Sequence, residues 1–156
     1  MKKAFPFLLA LTVTAICISV ARAGDVSVKV TMTTGPQDDP TTTFAANTPK
    51  LYAMFKAKGA KDGDKIRGVL IAEDVGDAAP ANTKVLEETL DVKGYSAGRD
   101  FSGDFNFSKP TKGWPVGKYR VEIYVNDELA TTAKFTVKAG KKKSSGEEEE
   151  EEESGD

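Results

Sequence analysis

The sequence predicts an all-β fold, a single sandwich of two antiparallel sheets with about seven strands. Three observations support this fold class. Apolar residues alternate with polar residues in seven short segments, turns rich in glycine and proline separate these segments, and no segment shows a convincing helical period. Short strands at such spacing are typical of two packed sheets around one core.

The first 23 of the 156 residues have the pattern of an export signal. Lys2 and Lys3 precede an apolar stretch from about Phe7 to Val20, and Ala21-Arg22-Ala23 is an A-x-A cleavage site. We expect the mature chain to begin at Gly24 and to be periplasmic or extracellular, without stable membrane insertion. An uncleaved anchor fits less well, because Asp25 follows the segment where a basic stop-transfer cluster would be expected.

The single cysteine, Cys17, lies within this signal. Cleavage would leave a domain without a disulfide in an oxidising compartment. The sequence therefore predicts a domain, residues 24–140, that is stabilised by its apolar core alone.

Residues 141–156 form a low-complexity tail of three lysines, a Ser-Ser-Gly spacer, seven glutamates (Glu147–Glu153) and Ser-Gly-Asp. Such charge density predicts an extended, disordered segment. Two interpretations of the tail stay open, a solubilising extension and an electrostatic contact with cationic surfaces. In residues 24–140 sixteen basic residues balance sixteen acidic ones, so we do not expect nucleic-acid binding.

The alternating positions define the inward face of each strand. The predicted inward residues are Val26, Val28, Val30 and Met32; Leu51, Ala53, Phe55 and Ala57; Ile66, Leu70 and Ala72; Leu86, Leu90 and Val92; Phe101, Gly103, Phe105 and Phe107; Tyr119, Val121, Ile123 and Val125; and Leu129, Thr131, Ala133, Phe135 and Val137. Lys84–Val92 also fits one helical turn, and its context favours a strand. Thr33–Pro49 is expected to be a loop anchored by Phe44, and Gly63 to supply a positive φ in the turn of residues 61–65.

The third predicted strand, Ile66–Glu73, is apolar on both faces. Val69 and Ile71 fall on the outer face, and Tyr124 joins them there if the third strand and the final hairpin share a sheet. Two interpretations follow: an exposed apolar stripe that binds a partner, or a stripe covered by the loop of residues 74–83.

The last two strands form a hairpin whose facing residues must share one side of the sheet. We expect Val125 to pair with Leu129, Ile123 with Thr131 and Tyr119 with Phe135. This register requires a three-residue loop, Asn126-Asp127-Glu128, or a two-residue Asn-Asp turn corrected by a bulge.

The segment that enters this hairpin, Pro115–Val121, resembles the tyrosine corner of exported bacterial immunoglobulin-like domains. The resemblance is specific over WPVGKYRVEIYVNDELATTAKFTV and architectural elsewhere. It implies that the Tyr119 hydroxyl is bonded to the backbone just upstream. We expect both Tyr119 and Trp114 to be structural anchors. The chain departs from antibody domains, because Val121 stands where they carry a cysteine and Trp114 is not on the third strand.

Most residues used in catalysis are absent from the sequence apart from carboxylates, and we expect neither an enzyme nor a bound cofactor, with calcium as the one alternative. Gly94–Gly98 matches the G-x-S-x-G nucleophile pattern around Ser96, but the chain contains no histidine to act as its base. Gly113 and Gly117-Lys118 have the wrong spacing for a phosphate loop, and Tyr119 replaces its Ser or Thr.

The leading functional interpretation is a non-enzymatic exported module that binds or spaces envelope or surface proteins. Its alternative is a module that binds calcium or a glycan. Asp62 and Asp64 are weak candidates for a calcium site, and Tyr52, Tyr95 and Trp114 are candidate glycan contacts.

Overall fold

The computed structural model describes residues 26–94 and 99–140 as an all-β sandwich. The strands are β1 (Ser27–Thr33), β2 (Thr43–Ala45), β3 (Lys50–Lys58), β4 (Lys65–Asp74), β5 (Thr83–Asp91), β6 (Phe101–Ser108), β7 (Gly117–Val125) and β8 (Glu128–Lys138). A single 3-10 turn, Gly76–Ala78, lies between β4 and β5. The predicted signal, the acidic tail, and Tyr95 and Ser96 lie outside the described residues.

Two sheets form the sandwich, as the sequence predicts. One has three strands in the order β1-β3-β6, and the other has five in the order β2-β8-β7-β4-β5. Each neighbouring pair is antiparallel except β2 and β8. Alternate residues of the central strands point into the core, where Leu51, Ile66 and Val121 are fully buried.

The strand β2 corrects the expectation of a continuous loop from Thr33 to Pro49. Its central residue, Phe44, is buried as predicted and meets the Phe135 ring edge to face, with 5.3 Å between centroids. This anchor holds Thr43–Ala45 alongside Thr136–Lys138 in a parallel ladder. A three-residue strand has too few positions for its periodicity to be visible in the sequence.

The segment that fitted either a helix or a strand, Lys84–Val92, forms β5 as favoured. It pairs with β4 from Lys65↔Asp91 to Ala72↔Thr83, with an irregularity between Leu70 and Ile71. This register leaves Val85 as the extra residue, because Leu70 pairs with Leu86 and Ile71 pairs with Lys84. The turn before β4 has the expected positive φ at Gly63.

The β7–β8 hairpin uses the second of the two predicted connections, a two-residue turn with a bulge. Asn126 and Asp127 both have positive φ, as a type I′ turn requires. Tyr119↔Phe135 and Ile123↔Thr131 pair as predicted. The predicted Val125–Leu129 pair is wrong, because the register shifts after Ile123 and Val125 faces Glu128.

The loop before β7 is fixed by two buried aromatic side chains. The Tyr119 hydroxyl donates a 2.7 Å hydrogen bond to the carbonyl of Pro115, which is the bond expected of a tyrosine corner. The Trp114 indole donates to the carbonyl of Thr48 at 2.9 Å, and its backbone N–H donates to the carbonyl of Ala46 at 2.9 Å. Tyr119 also stacks on Phe135, so this loop is tied to the core and to the segment around β2.

Gly68 of β4 faces the ring of Phe105 of β6 across the sandwich. A Cβ atom at Gly68 would lie 2.5 Å from the Phe105 ring, closer than real Cβ contacts. Glycine is therefore required for β4 to lie directly over β6. At the other side of the sandwich, β8 lies against β1.

The buried phenol of Tyr119 gives the first testable prediction. Burial raises its pKa to about 12, whereas an unfolded tyrosine ionises near pH 10. Between these two pH values the folded domain holds one more proton than the unfolded chain. The contribution of Tyr119 to the free energy of unfolding is therefore fully present below pH 10 and is lost as the pH rises toward 12. Urea unfolding should show that the wild type loses about 2–3 kcal/mol in this window relative to Tyr119→Phe.

At pH 8 the same substitution should cost about 1–2 kcal/mol, because the Pro115 carbonyl loses its donor. Equal alkaline slopes in the two proteins would show that Tyr119 does not carry this dependence.

Candidate functional site

Val69, Ile71 and Tyr124 lie on the outer face of the five-stranded sheet. Of the two interpretations of this stripe, exposed or covered, the exposed one is wrong. Val69 and Ile71 are only 4% and 7% exposed, and Tyr124 is half-buried. Val69 lies between Glu87 and Glu122, and Ile71 lies between Lys84 and Arg120. The interpretation that Val69 and Ile71 are exposed is wrong, because the aliphatic stems of these four long cross-strand neighbours cover them. A partner-binding role for Val69, Ile71 and Tyr124 stays a prediction.

Hydrogen bonds and ion pairs connect the covering side chains. Arg120 is at the centre, with Nε 2.7 Å from Glu122 Oε1 and Nη1 2.6 Å from Asn82 Oδ1. Asn82 belongs to the loop that was the predicted alternative cover, so one side chain of that loop does join the outer face. The further ion pairs are Arg120–Glu73, Lys134–Glu73, Arg67–Glu87, Arg67–Asp127 and Lys84–Glu87.

Tyr124 takes part in this network rather than in an apolar patch. Its hydroxyl donates to Glu122 Oε2 at 2.6 Å, and the Arg67 guanidinium lies 4.3 Å above its ring. Partial burial alone would raise the pKa of Glu122, but the hydrogen bonds from Tyr124 and Arg120 outweigh it and lower that pKa. The outer face is thus a charged, internally paired surface.

The calcium candidates lie in the turn before β4. Asp64 accepts a hydrogen bond from the Lys61 backbone N–H and another from the Asn126 side chain, each 2.8 Å long. These bonds give Asp64 a structural role in joining two turns, and Asp62 is exposed beside it. In the part of the chain that the structure describes, no three acidic side chains come together as a metal site. Calcium binding stays a prediction that these contacts do not favour.

Two of the aromatic glycan candidates lie among the described residues: Trp114 is buried and Tyr52 is half-buried. Glycan binding stays a prediction. Tyr95 lies outside the described residues.

An apolar cleft of about 400 Å³ opens where the β4–β5 connection meets the loop between β6 and β7. Val75, Ala79 and Val85 form one wall, and Pro110 and Trp114 form the other. Tyr119 lies at the same cleft, so the tyrosine corner shapes it. Among the described residues that line it, Lys112 alone carries a charge. Such a concave, mostly apolar site suits an apolar group more than a sugar or an ion.

The inner face of β5 continues this cleft along the sandwich. Leu86 pairs with the fully buried Leu70, so it points to the core side of the sheet, yet it is 45% exposed. Val85 beside it is 41% exposed and also lines the cleft. Their exposure shows that no described strand covers this part of β5. We call the cleft together with the β5 surface of Val85, Leu86 and Glu88 the β5 groove.

The sequence assigned Leu86 to the inner face but did not reveal its exposure. One signal was present: on that face Glu88 lies between Leu86 and Leu90, and a carboxylate at an inward position marks a face that is not enclosed. Leu90 is half-buried, since it approaches Gly103 of β6 at the closed end of the groove.

Within residues 26–94 and 99–140, no helix is long and apolar enough to cross a membrane.

Comparison with known proteins gives structural likenesses only. No family model matches the chain, and no curated protein matches it. An immunoglobulin-like protein from Pseudomonas aeruginosa is similar, with 17% identity and a TM-score of 0.44, over 74% of this chain and 93% of its own. A Listeria innocua β-glucosidase in complex with glucose (14% identity, TM-score 0.48) and the Pseudomonas fluorescens alkylpurine DNA glycosylase AlkC bound to DNA with an abasic site analog (15%, 0.46) are similar over 74% and 73% of this chain.

This chain spans 16% of the β-glucosidase and 30% of the glycosylase. With TM-scores below 0.5, none of these likenesses assigns an activity or a ligand to this chain.

Proposed function

We propose that this chain is a non-enzymatic exported module that binds another protein through the β5 groove. The observation that carries the proposal is the exposure of Val85 and Leu86 on the core side of β5, next to an apolar cleft. In a closed sandwich these side chains would be buried. Covering them with a partner removes apolar surface from water, at about 25 cal/mol per Å².

The chemistry of the groove supports binding more than catalysis. General acid–base catalysis requires a titratable side chain within hydrogen-bond reach of the reacting group and with a pKa near the operating pH. The described lining of the cleft offers the single cation of Lys112, and Glu88 lies further along β5. An apolar pocket with few charges favours recognition of an apolar protein segment.

Export is the second part of the proposal, and it rests on the signal pattern of residues 1–23. The full chain produced in a bacterial host should be recovered from the envelope or medium with Gly24 as its first residue, by intact mass and N-terminal sequencing. An Ala21→Arg/Ala23→Arg variant should keep the signal, because the cleavage site requires small residues. Retention of the wild-type chain in the cytoplasm with residues 1–23 attached would contradict export.

Substitution of two leucines of similar exposure in the same sheet tests whether the β5 groove is the binding site. Leu86 is 45% exposed in the groove, and Leu129 is 53% exposed on β8, away from it. We expect Leu86→Lys to weaken capture of an envelope partner by about 10- to 100-fold, since about 1.5–3 kcal/mol of apolar burial is lost. Leu129→Lys should leave capture unchanged.

The measurement is quantitative pull-down from an envelope extract, with thermal melting of each variant to confirm that it is folded. Equal capture by the wild type and Leu86→Lys would overturn the assignment of the groove as the binding site.

A further inference from the structure

The two sheets differ in width, and this leaves an open strand position in the sandwich. Gly68 allows β4 to pack directly on Phe105 of β6, the edge strand of the three-stranded sheet. The five-stranded sheet continues past this edge by one strand, β5. Among the described strands, β5 and β6 each lie at the edge of a sheet, so each has a row of backbone N–H and C=O groups that pairs with no described strand. The open position lies beside β6 and faces the inner side of β5.

The side chains of β5 that face the open position are partly apolar and partly acidic. Leu86 and Glu88 pair with Leu70 and Gly68, whose side of β4 faces the core, so both point toward the open position. Glu88 is exposed and has no ion-pair partner among the described residues. The wall is therefore apolar at Val85 and Leu86 and acidic at Glu88, with the apolar cleft at one end.

We propose that the open position binds an extended segment of the partner protein as an added strand, antiparallel to β6. Alternate side chains of that segment face β5: apolar ones meet the cleft and Leu86, and a basic one meets Glu88. From Ser102 onward, the added strand takes up backbone groups of β6 that pair with no described strand, which is the usual basis of strand addition at a sheet edge. This inference rests on the proposed function and specifies the form and charge of the partner segment.

A second copy of the chain does not fit this position. Its own β5 would project over the same space, because β5 overhangs β6 in each copy. Pairing of two β5 strands would also place the adjacent carboxylates Glu87 and Glu88 of one copy near those of the other, which is unfavourable.

The tail of this chain does not fit either. Residues 141–156 contain no apolar side chain, so they cannot cover Val85 and Leu86. The seven glutamates from Glu147 to Glu153 would also be repelled by Glu88.

The test uses a short synthetic peptide in which threonine alternates with leucine, valine, arginine and leucine, in that order from the N terminus. In the antiparallel orientation this order places the first leucine at the cleft, valine opposite Leu86 and arginine opposite Glu88. We expect saturable binding by calorimetry and slower amide exchange in β6. A peptide of the same composition with its apolar residues consecutive, and one N-methylated on alternate amides, should bind at least tenfold more weakly.

Exchanging the charges of Glu88 and of the peptide arginine distinguishes a loss of recognition from a loss of folding. Glu88→Lys should weaken binding of the arginine peptide by about three- to tenfold, and a peptide with glutamate in place of arginine should recover it on this variant. Absence of this recovery, or binding without slower exchange in β6, would overturn the added strand. The proposed function would still stand if Leu86→Lys abolished partner capture, so the two failures are distinguishable. A dimer that Leu86→Lys dissociates in sedimentation would also overturn the inference, in favour of a second copy.

Discussion

The close approach of Gly68 and Phe105 fixes how the two sheets lie on each other. The Phe105 ring occupies the space that any side chain at position 68 would take, so β6 lies under β4 rather than under β5. Phe105 stacks on Phe55 of β3, with 5.1 Å between centroids, and this carries the alignment across the smaller sheet. Because that sheet has three described strands and its partner has five, the inner face of β5 is left uncovered around Val85 and Leu86.

A second anchor closes one end of the sandwich and shapes the groove. Tyr119 holds the loop before β7 through Pro115, and Trp114 holds it against Thr48. Gly117 allows this path, since a Cβ atom there would collide with the carbonyl oxygen of Asp74. The same aromatic side chains that stabilise the fold thus form a wall of the apolar cleft, which joins the architecture to the proposed binding site.

Much of the fold could be predicted from the sequence because strand periodicity is a local property. The alternation of Leu51, Ala53, Phe55 and Ala57 identifies β3 and its inner face without knowledge of its neighbours. The tyrosine corner was likewise visible in a few adjacent residues.

Strand order and sheet width depend on contacts between distant parts of the chain. The burial of individual side chains that depends on them could therefore not be predicted from local sequence patterns. The burial of Val69 and Ile71 depends on the cross-strand neighbours Glu122 and Arg120, and the exposure of Leu86 depends on the absence of a described strand beneath β5. Periodicity assigns a side chain to a face, but only the packing of the opposite sheet determines whether that face is covered.

We propose that β6 is an open edge in the unbound protein and can accept one more strand. Amide hydrogen exchange of the unbound protein can show this, because β3, in the middle of the same sheet, provides an internal reference. We expect strong protection along β3, whereas in β6 every second amide should exchange at least tenfold faster. Uniform protection along β6 would rule out an open edge, since it would mean that the edge is already paired.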